Sequence, residues 1–269
     1  MGRGIAQCFA LCGYTVVMTD ISAALAESGC AKVRSAIERL RDKGRITPDK
    51  AESAISSLVA GEDYSALKDC SLVVEAALEE LDTKKRIFAL LEDVVSESCI
   101  LASNTSSISL TDIADGLRQP QRTAGMHFFN PAPTMKLVEV VRGAQTSDAV
   151  VAAVSDYAVK LGKTPVVSLD SPGFIVNRVL APMMNEAIIL LESGVSSREE
   201  IDSAMKLGAN HPMGPLALAD MVGLDVLLHV MEYFAQTLDP VKYAPAPLLE
   251  QMVREGKLGA KSGEGFYKY

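Results

Sequence analysis

Residues 123–141 read TAGMHFFNPAPTMKLVEVV, two short apolar runs separated by a turn that carries Pro131 and Pro133. The runs 123–129 and 136–141 have the β-branched and aromatic content of strands, and the prolines between them mark a turn. If the two strands are neighbours, Glu139, twelve positions after His127, comes within reach of that imidazole. His127 is one of three histidines in 269 residues, and imidazole is the side chain best suited to exchanging protons near neutral pH. A carboxylate beside it fixes the tautomer and steadies the imidazolium. Two residues of this kind also serve as an ordinary hydrogen-bonded structural pair, so the pair by itself leaves both readings open.

The flanking chain supplies the architecture. Residues 15–20, 71–75, 100–104 and 164–169 also read as strands, while 22–43, 83–96 and 147–161 carry helix-spaced apolar residues, with Ser22 and Ser147 suited to cap them. Such alternation predicts βαβ units and an α/β, doubly wound, Rossmann-type sheet. After Pro172–Gly173 the pattern is helical only, over 174–193, 198–207, 215–220, 224–237 and 246–255. The spacing therefore predicts a sheet domain over 1–169 and an all-helical domain over 170–269.

A net charge of −8 disfavours nucleic acid and anionic lipid as partners and favours a small molecule. Cys8, Cys12, Cys30, Cys70 and Cys99 form neither a CxxC pair nor a metal-spaced cluster, which predicts free thiols in a reducing cytoplasm and no metal site. No apolar run is long enough to span a bilayer.

MGRGIAQCFALCGYTVVMTD at residues 1–20 matches the second half of a dinucleotide-binding unit: a glycine opening a helix, the helix, then a strand ending in an acid. Met1 and Gly2 fall in the pyrophosphate loop and Asp20 fits the acid on the ribose hydroxyls, which favours NAD over NADP. The alternative for Asp20 is a cap on the following helix. The strand and glycines that open the full fingerprint are absent, so either the polypeptide is expected to begin upstream, or the strands containing Val16 and Val73 are expected to close ranks.

With VVEAALE, ASNTSS, MHFFNPAPTMKLVEVV, DSPGFIVNR, AMKLGANHPMGPLALAD and KSGEGFYKY in order, the chain resembles the L-3-hydroxyacyl-CoA dehydrogenases, especially the bacterial 3-hydroxybutyryl-CoA dehydrogenases. The resemblance implies an NAD-dependent oxidoreductase that interconverts a short-chain (S)-3-hydroxyacyl-CoA and its 3-keto partner, such as acetoacetyl-CoA. It implies His127 as the base, Glu139 as its orienting partner, and Ser106 and Asn177 as polar partners of the substrate oxygens. Glu79, Lys84, Ser106, Asn130 and Lys261 correspond to positions near the cofactor, and Lys43 is the candidate for the coenzyme A phosphates. Blander readings stand beside several of these. Ser106 also suits a cap for a helix at 109–114, and Asn177 an amide bonded to nearby backbone. Lys84 lies in Lys84-Lys85-Arg86, a run that reads as a solvated face, and Asn130 suits a turn start. The cations around Lys43 suit pairing with Glu38 and Asp42 at helical spacing. His211 and His229 are assigned no role. A homodimer through the helical domain is expected. Competing readings are a noncatalytic acyl-CoA-binding or assembly protein, and a dehydrogenase of another 3-hydroxy acid.

Overall fold

Seven strands and eleven α-helices form along the 269 described residues, Met1–Tyr269, of this computed structural model, and they fall into two units, Met1–Ser171 and Pro172–Tyr269. The first unit runs α1 (Gly2–Leu11), β1 (Val16–Met18), α2 (Ala23–Asp42), α3 (Pro48–Ser56), β2 (Leu58–Ala60), β3 (Leu72–Glu75), α4 (Leu81–Val94) and β4 (Ile100–Ser103). It continues through α5 (Leu110–Ala114), β5 (Thr123–Phe128), β6 (Leu137–Arg142), α6 (Asp148–Lys160) and β7 (Thr164–Leu169). Serine and threonine set the helix starts: the side chains of Ser22, Thr47, Ser109 and Ser147 accept amides three residues on, at Leu25, Lys50, Asp112 and Val150.

The strands order as β3-β4-β5-β6-β7, with β1 pairing only with β2 in a separate parallel pair. Strand alternation gives the five-stranded sheet two apolar faces. Leu72, Val74, Ile100 and Ala102 pack with Phe9 of α1 and Val154 of α6, while Val73 and Leu101 pack on the other side with Phe88 and Leu91 of α4. Helices thus cover both faces, as doubly wound sheets require. The strands holding Val16 and Val73 have not closed ranks: β1 shares the packing layers of β3, Val16 in one and Val17 in the other, yet no ladder joins them.

The sheet is mixed rather than wholly parallel. β5 and β6 are antiparallel, with His127 directly opposite Glu139 and Gly125 opposite Val141. Gly125 is required there, since a Cβ on it would lie 2.6 Å from the Cβ of Val141. The parallel pairs β3-β4, β4-β5 and β6-β7 complete the register.

The second unit contains α7 (Val176–Glu192), α8 (Arg198–Gly208), α9 (Pro215–Val222), α10 (Leu224–Thr237) and α11 (Pro247–Arg254) around a core that includes Ile188, Leu216, Leu227, Phe234 and Leu249. Ser197 and Glu200 form a reciprocal capping box on α8. Two buried carboxylates tie the tail to this core: Asp202 accepts from the Leu216 and Ala217 amides and the Tyr267 hydroxyl, and Asp220 from the Phe266 and Tyr267 amides. No helix of the chain is long and apolar enough to cross a membrane.

Candidate active site

His127 is the fifth residue of β5 and Glu139 the third of β6, so the antiparallel register brings both side chains to one face at the carboxyl end of β5. The imidazole Nδ1 lies 2.7 Å from Glu139 Oε2, and the two residues are 5% and 0% exposed. At that separation, away from water, the carboxylate dictates that Nδ1 carries a proton, which turns Nε2 outward from the pair as the acceptor nitrogen. The Phe129 ring lies 4.5 Å from the imidazole, centroid to centroid. Asn104, just past β4, accepts the Phe128 amide at 2.9 Å through its side chain and so carries the β4-β5 pairing one step beyond Ser103.

A second polar cluster forms where β3 and β4 end. Glu75 Oε1 takes the Lys84 ammonium at 2.8 Å, and its Oε2 takes the Ser103 hydroxyl at 2.6 Å. Lys84 also reaches Glu79 at 3.2 Å and is 1% exposed. The solvated-face reading of Lys84 is therefore overturned, because two acidic partners make burial of its ammonium tolerable. Glu79 Oε1 accepts the Thr105 hydroxyl at 2.6 Å and the Ser106 amide at 2.8 Å, with longer bonds from the Ser106 and Ser107 hydroxyls. Burial pushes the Glu79 carboxyl up, but the Thr105 hydroxyl, the Lys84 ammonium and the Ser106 amide outweigh it and hold the group below its ordinary value. Ser106 does not cap α5; Ser109 does.

The remaining candidates sit as follows. Met1 occupies the N-cap of α1 with no side-chain bond to its amides. A Cβ on Gly2 would lie 3.7 Å from that of Ala76, just past β3, and one on Gly4 would lie 3.2 Å from that of Ala132, past β5. The amino end of α1 therefore faces the carboxyl ends of the strands. Asp20 follows β1, exposed, and accepts the neighbouring Ile21 amide; Ser22, not Asp20, caps α2. Asn130 is exposed at the start of a turn in which the Thr134 and Met135 amides both donate to the Pro131 carbonyl. Lys43 is exposed at the carboxyl end of α2 and makes no ion pair: Asp42 pairs with Arg41, and Arg34 with Glu27, so the pairing expected at helical spacing does not form. Asn177 and Lys261 belong to the helical unit, the first half-buried in the opening turn of α7, the second exposed and paired with Asp225.

Residues 1–171 match the model of the 3-hydroxyacyl-CoA dehydrogenase NAD binding domain, and residues 173–269 that of the family's C-terminal domain. The chain belongs to the 3-hydroxyacyl-CoA dehydrogenase family. Among its relatives is a probable 3-hydroxybutyryl-CoA dehydrogenase of Deinococcus radiodurans, 48% identical over 269 residues, covering 100% of this chain and 96% of the relative. The 3-hydroxybutyryl-CoA dehydrogenase of Bradyrhizobium diazoefficiens is 47% identical, with 100% and 92% covered. The crystal structure of (S)-3-hydroxybutyryl-CoA dehydrogenase from Ralstonia eutropha superposes with a TM-score of 0.97 at 49% identity, covering 100% of this chain and 95% of that one.

As in other members of the 3-hydroxyacyl-CoA dehydrogenase family, the first unit is an NAD-binding domain. Its residues fit a dinucleotide: α1 presents an uncapped amino end, and an exposed carboxylate, Asp20, follows β1. No group of three or more His, Cys, Asp or Glu side chains is placed to hold a metal ion. Reading the sequence missed Glu75, Asn104 and Thr105. Glu75 and Asn104 close strands that were recognised, and their position at carboxyl ends was the available signal.

Proposed function

We propose that the chain interconverts (S)-3-hydroxybutyryl-CoA, or a short homologue, and the corresponding 3-ketoacyl-CoA. The observation that carries this reading is the buried His127–Glu139 pair at 2.7 Å, at the carboxyl end of β5 in an NAD-binding domain. His127 Nε2 takes the proton of the 3-hydroxyl, and Glu139 holds the ring and balances the imidazolium that results. When bound, NAD supplies the acceptor for the hydride that leaves the same carbon. In the opposite direction the imidazolium returns the proton to the 3-keto oxygen. Ser106 and Asn177 donate to the substrate oxygens, polarising a carbonyl without adding charge. Glu79 sets the 105–107 segment that carries Ser106, and Lys84 holds Glu79.

For the cofactor, the amino end of α1 at Met1 and Gly2 takes the pyrophosphate, Asp20 takes the ribose hydroxyls and disfavours NADP, and Asn130 and Lys261 complete the contacts. Lys43 takes a coenzyme A phosphate; the unpaired cation supports this. The chain works as a homodimer through its helical unit, supported by apolar side chains left exposed there, Val179 and Met221 each at 63%. A monomeric mass by light scattering would count against it. Five free thiols suit a cytoplasmic setting.

The test is acetoacetyl-CoA-dependent oxidation of NADH by the parent and by His127→Gln. The variant is expected to keep NADH affinity and lose about a hundredfold to ten-thousandfold in turnover. Turnover near the parent rate would exclude His127 as the base. Oxidation equally fast with a free 3-keto acid would favour a different 3-hydroxy acid as substrate, and none with either would favour a noncatalytic binding protein.

A further inference from the structure

The loop that joins β5 to β6 contains two prolines and therefore lacks two amide donors. Its own main-chain bonds, from Thr134 and Met135, both end on the Pro131 carbonyl. The carbonyls of Ala132, Pro133 and Met135 are met instead from the turn that leads into the neighbouring strand β7, by the ammonium of Lys163 at 2.6, 3.3 and 2.7 Å. Three N–H donors meet three acceptors, which satisfies the ammonium completely. Lys163 is 8% exposed and none of the chain's ion pairs includes it, so its charge is held by peptide dipoles alone.

The position of this residue couples three parts of the site. Lys163 immediately precedes β7, whose first amide, at Thr164, donates to the Lys136 carbonyl, and its own amide donates to Ala158 at the end of α6. The loop it grips starts two residues after His127, carries Asn130, and packs Ala132 and Pro133 against Gly4 in the first turn of α1. An apolar side chain at 163 would leave three carbonyls without a donor and free the loop to turn them toward water. Both the amino end of α1 and the end of β5 would then lose their common support.

We propose that Lys163 is a positioning residue, clamping residues 131–135 so that the dinucleotide-facing turn of α1 and His127 keep a fixed relation. The proposal rests on the reaction assigned above. It acts through the loop, and Lys163 itself touches neither substrate nor cofactor.

The experiment compares the parent with Lys163→Met and Lys163→Arg, reading NADH dissociation constants by fluorescence, turnover with acetoacetyl-CoA, and thermal midpoints. Lys163→Met is expected to weaken NADH binding about tenfold and to lower turnover by about ten- to a hundredfold, the scale of a small misplacement in a reacting site. Lys163→Arg, which restores charge and donors, recovers part of both. Parent-like NADH binding and turnover in Lys163→Met, whatever its thermal midpoint, would overturn the proposal and leave Lys163 a purely structural residue. If Lys163→Met does not fold, Lys163→Gln carries the same expectation, and parent-like binding in it overturns the proposal equally. A parent that binds NADH but leaves acetoacetyl-CoA unreduced refutes the assigned reaction while the binding comparison among variants stands.

Discussion

Glu139→Gln separates charge from shape at the site. The amide has nearly the volume of the carboxylate, and its carbonyl oxygen is able to accept the same Nδ1 hydrogen across the 2.7 Å contact. What disappears is the negative charge facing the imidazolium. With charge centres about 4 Å apart and an effective dielectric of about 20, that attraction is about 4 kcal/mol. At about 1.4 kcal/mol per decade it corresponds to about three orders of magnitude in rate. The retained hydrogen bond keeps the ring in place and returns part of the loss, so turnover is expected to fall about a hundredfold to a thousandfold. Because the ring is neutral when substrates bind in the oxidation direction and the charge matters only once it is protonated, the Michaelis constants for NAD and (S)-3-hydroxybutyryl-CoA are expected to stay within about threefold. The thermal midpoint should move little, since His127 is able to remain neutral in the variant, leaving no unpaired charge buried. Steady-state reduction of NAD by (S)-3-hydroxybutyryl-CoA, the direction in which the imidazolium forms, gives all three constants when each substrate is varied in turn. A turnover within about threefold of the parent, in a variant with parent-like circular dichroism, would refute the idea that Glu139 stabilises a protonated His127.

The second polar cluster gives two further expectations. Lys84→Met strands the carboxylate of Glu75, whose side chain is 2% exposed, and is expected to lower unfolding free energy by about 3 to 5 kcal/mol in urea melts. Adding Glu75→Met to it should recover much of that loss, and a double variant no more stable than the single one would argue against the pairing. Glu79 has its folded-state value lowered, so its contribution is full above the ordinary carboxylate value of about 4.3 and is lost as pH falls through the lower folded value. The difference in thermal midpoint between the parent and Glu79→Gln should therefore be constant from neutral pH down to about 5 and shrink in acid. A difference that grows on acidification would contradict the assignment.

The elements read from sequence are those whose signals are local. Ser22 and Ser147 mark helix starts by themselves, and the apolar runs at 71–75, 100–104, 123–129 and 164–169 end within a residue or two of β3, β4, β5 and β7. β2 escaped notice because three residues, Leu58–Ala60, give no alternation to count. α3 escaped despite Thr47-Pro48, a cap followed by a proline at the first helical position, which was a usable signal. Lys84 was misjudged for another reason. Beside Lys85 and Arg86 it reads as surface, and its burial depends on Glu75, which sits on a different element. Lys163 is hidden in the same way, since nothing in its own turn predicts three carbonyls from a loop 28 to 31 residues earlier. Local patterns thus locate the strand ends, while the identity of buried charges depends on which ends the topology brings together.

That dependence explains why the one antiparallel step in the five-stranded sheet matters. In a wholly parallel sheet every carboxyl end lies at one edge, and residues twelve apart on consecutive strands do not face each other, because a crossover separates them. Reversing β6 brings its amino end to the edge where β5 finishes, and residues 129–136 suffice to make the turn. His127 and Glu139 then become directly opposed, with no intervening side chain to pack correctly. The arrangement is exact to one residue: a slip of one position along β6 would turn Glu139 to the other face and bring an apolar neighbour, Val138 or Val140, opposite the imidazole. Gly125 opposite Val141 resists the slip that would bring Val140 opposite the imidazole, since the space left by its missing Cβ would then have to take Arg142 in place of a valine. The loop between the strands is thus under two constraints at once, keeping the register that makes the pair and presenting its own carbonyls to Lys163. Lengthening it by one residue should disturb the His127–Glu139 contact more than it disturbs the core, so activity is lost before stability.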